Sequence, residues 1–500
     1  MPKHIRVAAL LLAALALPFA LVPAVAQADE DDTRRLLNQM ERGAAERERS
    51  QLVEEAPAGV DPASLITIGG TTYSVDSTLA DLGPAIYVAI NLRQWDKLRQ
   101  FVDKYRRLPG HEVPLVLMAE GMLAREARDH RLAAARLRQA LAAQPDFLRA
   151  KLELARALFE DNQSAEATQL FAQISTAGIP DPVRPVIEGF QNALALRDAW
   201  HGSLSLGLGY NSNINQANGR EDRLEVCYFF GCYSTTRKMP DPIASASLVY
   251  DLTLERRLQL AGHHHLLLRG IGYGRRYDKH QQGNPDVHYD EDTAILYAGY
   301  NYLDAQDDLA LTPLFEHYRS DRQAKYQAAG LRLDWKRRLD ERWQLGANAQ
   351  RKRLRFQADA RRYFDDYAES QYGVHASYMV DSATALYGGL GYTRRMQPEA
   401  TARSRERMAN LGVYRGFEAG VTLNATALYR HIRNDEADQF LGGRREDHQR
   451  ILILNLGLPR LAFQGIVPNL YLKHTINDSN IAWAYRYRQT EAALKFEKRF

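Results

Sequence analysis

Phe417-Glu418-Ala419-Gly420-Val421-Thr422-Leu423-Asn424-Ala425-Thr426-Ala427-Leu428-Tyr429 puts an apolar residue at every odd position and a polar residue or glycine at most even ones. Side chains alternate across a β-strand, so this stretch has one greasy face and one wet face. It is also long. Strands of soluble sheets run to about 5–6 residues, whereas a tilted strand crossing a bilayer needs about 9–11. The same pattern recurs from Trp200 to Phe500, with strands predicted near 201–213, 242–254, 263–277, 290–303, 307–318, 324–338, 341–355, 369–380, 383–395, 404–415, 417–431, 447–458, 466–476 and 489–500. They number fourteen, and single-chain bacterial barrels take an even number.

The apolar faces read Leu204, Leu206, Leu208, Tyr210; Leu331, Leu333, Trp335; Tyr372, Val374, Ala376, Tyr378; and Leu452, Leu454, Leu456. The opposite faces carry Asn348, Gln350, Thr422, Asn424, Lys495 and Glu497, which suits a wet lumen better than a sandwich core. Tyr and Trp gather toward strand ends, as rings at a membrane interface do. Predicted connections alternate long and short, apart from a brief one at 319–323. Outer-membrane barrels pair long outer loops with short periplasmic turns, so whatever precedes strand one is expected in the periplasm.

Upstream, Lys3 and Arg6 precede an apolar run from Val7 to Leu17, and Ala26-Gln27-Ala28 offers a small-x-small cleavage site before Asp29. Residues 1–28 therefore read as a secretory signal peptide. Residues 29–78 read as a charged leader and a short hairpin at Ile66–Val75 around Gly69-Gly70. No stretch of 18 apolar residues follows, so no helical span is expected.

From 79 to 199 the period becomes helical. Ala133, Leu137 and Ala140 recur 34 residues later as Ala167, Phe171 and Ile174, Gly121 is matched by Ala155, and Pro145 by Pro180. That is tetratricopeptide spacing: helix pairs that stack through small residues and usually bind peptides or proteins. A degenerate copy covers about 82–109. The fold class is thus α plus transmembrane β, with helical repeats followed by a 14-stranded outer-membrane β-barrel.

Of the 500 residues, 65 are Lys or Arg and 61 Asp or Glu, a net charge of +4 that argues against a nucleic-acid partner. Cys227 and Cys232 lie close together in a predicted outer loop and form a candidate disulfide. His263-His264-His265 could present at most two ligands to one metal, because neighbours face opposite ways, and no metal or cofactor is assigned. Gly270-Ile271-Gly272-Tyr273-Gly274 lacks the following helix that a nucleotide loop needs. Asp307-Asp308 and Asp365-Asp366 fall at strand edges, and no Ser–His constellation is evident, so no catalytic residue is assigned and the chain is expected not to be an enzyme. The arginine runs 351–355, 403–407 and 444–445 suit contact with lipopolysaccharide phosphates, or alternatively a basic lining for an anionic substrate.

Gly209-Tyr210-Asn211-Ser212-Asn213-Ile214-Asn215, the hairpin ahead of the repeats, and the closing Lys495-Phe496-Glu497-Lys498-Arg499-Phe500 together resemble the surface lipoprotein assembly modulator (Slam) family, the outer-membrane translocators of type XI secretion. The resemblance implies a barrel that delivers client proteins or surface lipoproteins to the cell surface or exterior, the clients carrying a small barrel-type domain. Phe496 and Phe500 resemble the terminal signal read by the barrel-assembly machinery. Outer-membrane lipid and lipopolysaccharide complete the expected partners. The alternative functions are an exopolysaccharide exporter or a solute porin.

Overall fold

The computed structural model describes residues 77–176, 183–228, 231–281 and 284–500. The expected signal peptide with Ala28 and Asp29, the leader, the hairpin at 66–75 and Pro180 lie outside them.

Among the described residues seven helices come first: α1 (Leu79–Asn91), α2 (Trp95–Tyr105), α3 (Val113–Glu126), α4 (His130–Ala143), α5 (Leu148–Glu160), α6 (Ser164–Thr176) and α7 (Arg184–Asp198). Thr78 and Asp129 cap α1 and α4 through their side-chain oxygens, satisfying amides that the first turn leaves orphaned. The hairpins α1–α2, α3–α4 and α5–α6 share one turn. Arg93, Arg128 and Asn162 each adopt a left-handed backbone (φ 53°, 61° and 58°), and the next residue's N–H returns to a carbonyl five residues back, at Ala89, Ala124 and Leu158. The degenerate first copy is therefore a full structural repeat. A Cβ on Gly121 would stand 2.7 Å from Leu137 Cγ, so this crossing admits nothing larger than glycine. Ala133, Leu137, Ala140, Ala155, Ala167 and Phe171 are all fully buried in one core that runs through the array. Pro145 follows the end of α4.

Eighteen strands follow: β1 (His201–Asn211), β2 (Glu221–Tyr228), β3 (Gly231–Lys238), β4 (Ser245–Ala261), β5 (His264–Tyr277), β6 (His280–Gln281), β7 (Asn284–His288), β8 (Glu291–Leu303), β9 (Asp307–Ser320), β10 (Gln323–Arg338), β11 (Trp343–Phe356), β12 (Tyr367–Asp381), β13 (Thr384–Met396), β14 (Ser404–Gly416), β15 (Thr422–Asn434), β16 (Glu446–Gly457), β17 (Ile466–Ser479) and β18 (Tyr487–Arg499). The hairpins β2–β3 and β6–β7 stand apart; the other fourteen form the barrel, each antiparallel to its neighbours. β1 pairs with both β4 and β18, closing the wall. Leu204, Leu206 and Leu208 on β1 are 52%, 52% and 71% exposed, a greasy outer face that water would not tolerate and hydrocarbon does. Leu331, Tyr372, Leu452 and Phe496 continue it around the wall.

Several boundaries differ from expectation. Phe417–Val421, the start of the alternating stretch, is a turn. Phe417 and Val421 close it through a backbone hydrogen bond, and Gly420 sits at φ +71°, so β15 begins at Thr422. β4 runs on to Ala261 and turns at Gly262. The long connections expected at 214–241 and 278–289 contain the hairpins β2–β3 and β6–β7. The brief outer connection after β9 is a two-residue hairpin whose central residues, Asp321 and Arg322, both have positive φ (54° and 58°), the geometry that matches strand twist.

Candidate functional site

The helical array docks on the rim of short turns that connect β4–β5, β8–β9 and β10–β11. Asp161, at the α5–α6 turn, accepts a 2.8 Å hydrogen bond from His263 Nε2, and Asn162 Nδ2 donates to the Asp304 carbonyl at 2.8 Å. Ala165 N–H donates to Gln259 Oε1 at 2.7 Å, and Arg128 reaches Glu341 at 2.7 Å. The bond to Asp161 is the chief cause that raises the His263 pKa; burial opposes it. Burial alone would raise the Asp161 carboxyl, but its bonds from His263 and Gln163 hold it below its usual value. The tandem histidines thus form no common site. His263 clasps the repeats, His264 meets Tyr300 OH, and His265 turns inward and bonds the His263 carbonyl.

Inside the repeats, Glu153 is wholly buried and faces Arg125 (2.6 Å), Arg149 (3.0 Å) and Arg156 (3.8 Å). Burial would raise its pKa, but the three guanidiniums hold it below the usual carboxylate range. A charge this deep exists only because it is paired. It ties α3 to α5, the helices of consecutive repeats.

The inner wall of the barrel carries an ordered acid–base ladder on neighbouring strands. Tyr326 donates to Glu316 (2.9 Å), and Lys352 bridges Glu316 (3.1 Å) and Glu369 (3.2 Å). Arg395 bridges Glu369 (3.3 Å) and Glu406 (3.2 Å), and Arg430 bridges Glu406 (2.7 Å) and Gln449 (2.8 Å). Gln449 donates to Tyr487 OH at 3.0 Å. A second set, Lys473–Glu491–Arg275, links β17, β18 and β5 at 2.8 and 3.0 Å. Acid and base alternate one for one along the ladder, and the second set places two bases on one acid, so this wall presents hydrogen-bonding capacity with little net field. A basic lining for a polyanion is not what the strands build. Arg445, in one of the arginine runs, is buried against Asp447 (2.6 Å) and over Tyr485, away from any lipid.

Other sequence candidates scatter. Asp307 receives Trp335 Nε1 (3.0 Å), Asp308 receives Asn301 Nδ2 (2.6 Å), and Asp366 caps the Phe356 amide (2.8 Å), all structural tasks. Cys227 stands directly opposite Cys232 in the β2–β3 register. Gly274, in the glycine-rich run, lies where a Cβ would strike Asp292 and the Glu291 carbonyl. Among the described residues, His431, Glu446 and His448 bring ligand atoms within 4.8 Å of one another, but on the outer face of β15–β16. There His431 already bonds Glu446, and His448 bonds Tyr429 OH.

The asparagine motif after β1 is a clip. Asn213 Nδ2 donates to the carbonyls of Ala217 (2.8 Å) and Arg488 (2.9 Å), and its Oδ1 accepts from the Ala217 amide (3.0 Å). Gln489 Nε2 donates to the Asn213 carbonyl at 2.8 Å, and the Thr490 amide to Ser212 Oγ at 2.9 Å. Asn215 holds the return of the loop through Asp241 and Ile243, both at 2.9 Å. The motif fastens the first strand to the last at the outer end of the barrel seam.

A closed fourteen-strand barrel with helical repeats seated on its short-turn rim is the architecture of an outer-membrane protein whose soluble part faces the periplasm. The family model described as "Surface lipoprotein assembly modifier" matches residues 200–500, and that for the same family's N-terminal TPR repeats matches residues 73–171. The chain belongs to the surface lipoprotein assembly modifier family. It is 28% identical over 490 residues to the hemophilin secretion modulator of Acinetobacter baumannii, covering 95% of this chain and 96% of that one. With surface lipoprotein assembly modifier 1 of Neisseria meningitidis serogroup B it shares 26% identity over 453 residues, 89% and 88% of the two chains. With the Moraxella catarrhalis surface lipoprotein assembly modifier the identity is 22%, over 84% and 80%.

Proposed function

We propose that this protein delivers specific client proteins, secreted or lipid-anchored, from the periplasm to the cell surface or exterior. The repeats capture the client and the barrel passes it outward; no bond is made or broken. The observation that carries this is the docking of the array on the barrel rim through Asp161–His263, Asn162–Asp304 and Ala165–Gln259, which puts a protein-binding scaffold at the mouth of a charge-balanced channel. Neutral, hydrogen-bonding walls suit a polypeptide of mixed charge, whereas a polysaccharide exporter calls for a strongly one-signed lumen and a porin has no use for repeats. The names of the relatives, a secretion modulator and assembly modifiers, agree with this assignment. On the same reading, 1–28 is the export signal cleaved after Ala28, Phe496 and Phe500 are the mark read by the barrel-assembly machinery, and Cys227–Cys232 is a bond stiffening the first outer hairpin.

The test is surface labelling and mass spectrometry of cells with and without the gene. Loss of one or two proteins from the surface or medium, with their accumulation in the periplasm, is the expected result. An unchanged protein profile together with loss of an exopolysaccharide or altered solute uptake contradicts it.

A further inference from the structure

β11 carries Arg351, Arg353 and Arg355 on its outward face, alternating with the inward Lys352, Leu354 and Phe356. Below them the same face reads Trp343, Leu345, Ala347 and Ala349. Eight residues separate Trp343 from Arg351, about 20 Å along the membrane normal for a rise near 3.3 Å and a tilt near 40°. The arginines therefore begin at the top of an apolar band about 25 Å tall, at the level of the outer-leaflet headgroups.

No hydrogen bond or ion pair holds any of the three guanidiniums among the described residues. Several other outward arginines on this rim are matched: Arg394 and Arg405 share Asp435, Arg433 meets Glu446, and Arg450 and Arg486 share Asp478. Beside the unmatched set the wall is hollowed. Register sets Arg353 between Ala329 and Ala368, with Met396 beyond, and these small side chains floor an open cleft of about 430 Å³ walled by Arg351 and Arg353. The one acid on its border, Asp366, is engaged by Arg361 (3.1 Å) and the Phe356 amide.

Unpaired guanidiniums facing lipid need an anion, and a planar fork suits phosphate bidentately. An alanine-floored hollow directly beneath admits an acyl chain. We propose that this cleft on the β10–β13 wall binds a phosphorylated glycolipid of the outer leaflet, its phosphate held by Arg351 and Arg353, with Arg355 reaching the headgroup above and an acyl chain lying over Ala329 and Ala368. The site is independent of what passes through the barrel.

Native mass spectrometry of the purified full-length protein in detergent, titrated with bis-phosphorylated lipid A, tests it. The expected result is saturable binding that falls about tenfold or more in the triple variant R351Q/R353Q/R355Q, as charge-assisted phosphate contacts are lost. R450Q, which breaks a pair already matched by Asp478, should bind as the parent does. Millimolar inorganic phosphate should not displace the lipid; displacement would mean that the site takes free phosphate and would overturn the glycolipid assignment. Should the triple variant not fold, as judged by heat-modifiable gel migration, the parent titrated with phosphate-free lipid A decides instead: equal binding of both lipids overturns the proposal, and loss on phosphate removal supports it.

Discussion

Asn213 bonds Ala217 twice and the Arg488 carbonyl once through its side chain, so one residue joins the first loop to the last strand. Each such bond is worth about 1 kcal/mol, and Asn213→Ala should cost the barrel about 3 kcal/mol in urea unfolding, with no change in strand content by circular dichroism. The motif stands out in the sequence as a short asparagine-rich run, but its task depends on the pairing of β1 with β18, 275 positions apart for Asn213 and Arg488. Glu153 is not legible at all. Nothing in an Arg- and Ala-rich helical stretch marks a carboxylate with no exposed surface, facing three arginines. Glu153→Ala leaves those cations without their counter-charge and should destabilise the helical domain by about 3–5 kcal/mol, read from the helical melting signal. Gly121 lies at the other extreme: the repeat spacing alone marks it as the close crossing that Leu137 occupies.

At the scale of elements, two-residue alternation locates all fourteen barrel strands, because a wall between lipid and lumen imposes opposite chemistry on its two faces. It fails where composition imitates that rule. Phe417, Ala419 and Val421 alternate with Glu418 and Gly420 as a strand would, yet the left-handed Gly420 turns the chain. The ladder across the inner wall is invisible in the sequence for a different reason. Glu369, Arg395 and Glu406 become partners only through the registers of β12, β13 and β14. Glu406→Ala strands Arg430, which is 1% exposed, and should cost about 3–5 kcal/mol by urea unfolding of the refolded barrel. The clasp between repeats and barrel makes a prediction in pH. Protonated His263 binds Asp161 best, so its raised pKa contributes fully below its ordinary 6.5 and the contribution is lost as pH rises through the higher folded value. Asp161, with its lowered pKa, contributes above its ordinary 3.8 and fails only in stronger acid. Hydrogen exchange at the α5–α6 turn, corrected for intrinsic rates, should therefore speed up as pH rises above the ordinary 6.5 of histidine, and His263→Gln should abolish that pH dependence. An unchanged profile in the variant would show that the clasp does not hold the domains.

For the whole molecule, the order of helical repeats then barrel can be read from periodicity, but the seat of one upon the other cannot. Asp161, Asn162 and Ala165 look like an ordinary interhelical turn, and Gln259, His263 and Asp304 like ordinary barrel turns, until the fold brings them together. The tandem histidines suggest a metal and prove instead to include the joint. On the proposed function that joint fixes a capture surface to an outward path, and client passage is the claim that follows. Site-specific photo-crosslinking tests it most directly, with a photoreactive residue placed in turn at Arg136 on the repeats, at Thr426 on the inner wall and at Leu411 on the lipid face, in cells that export normally. Passage through the barrel predicts adducts to the same client from Arg136 and Thr426 and none from Leu411. Export of a client that crosslinks from the repeats but never from the inner wall would contradict it.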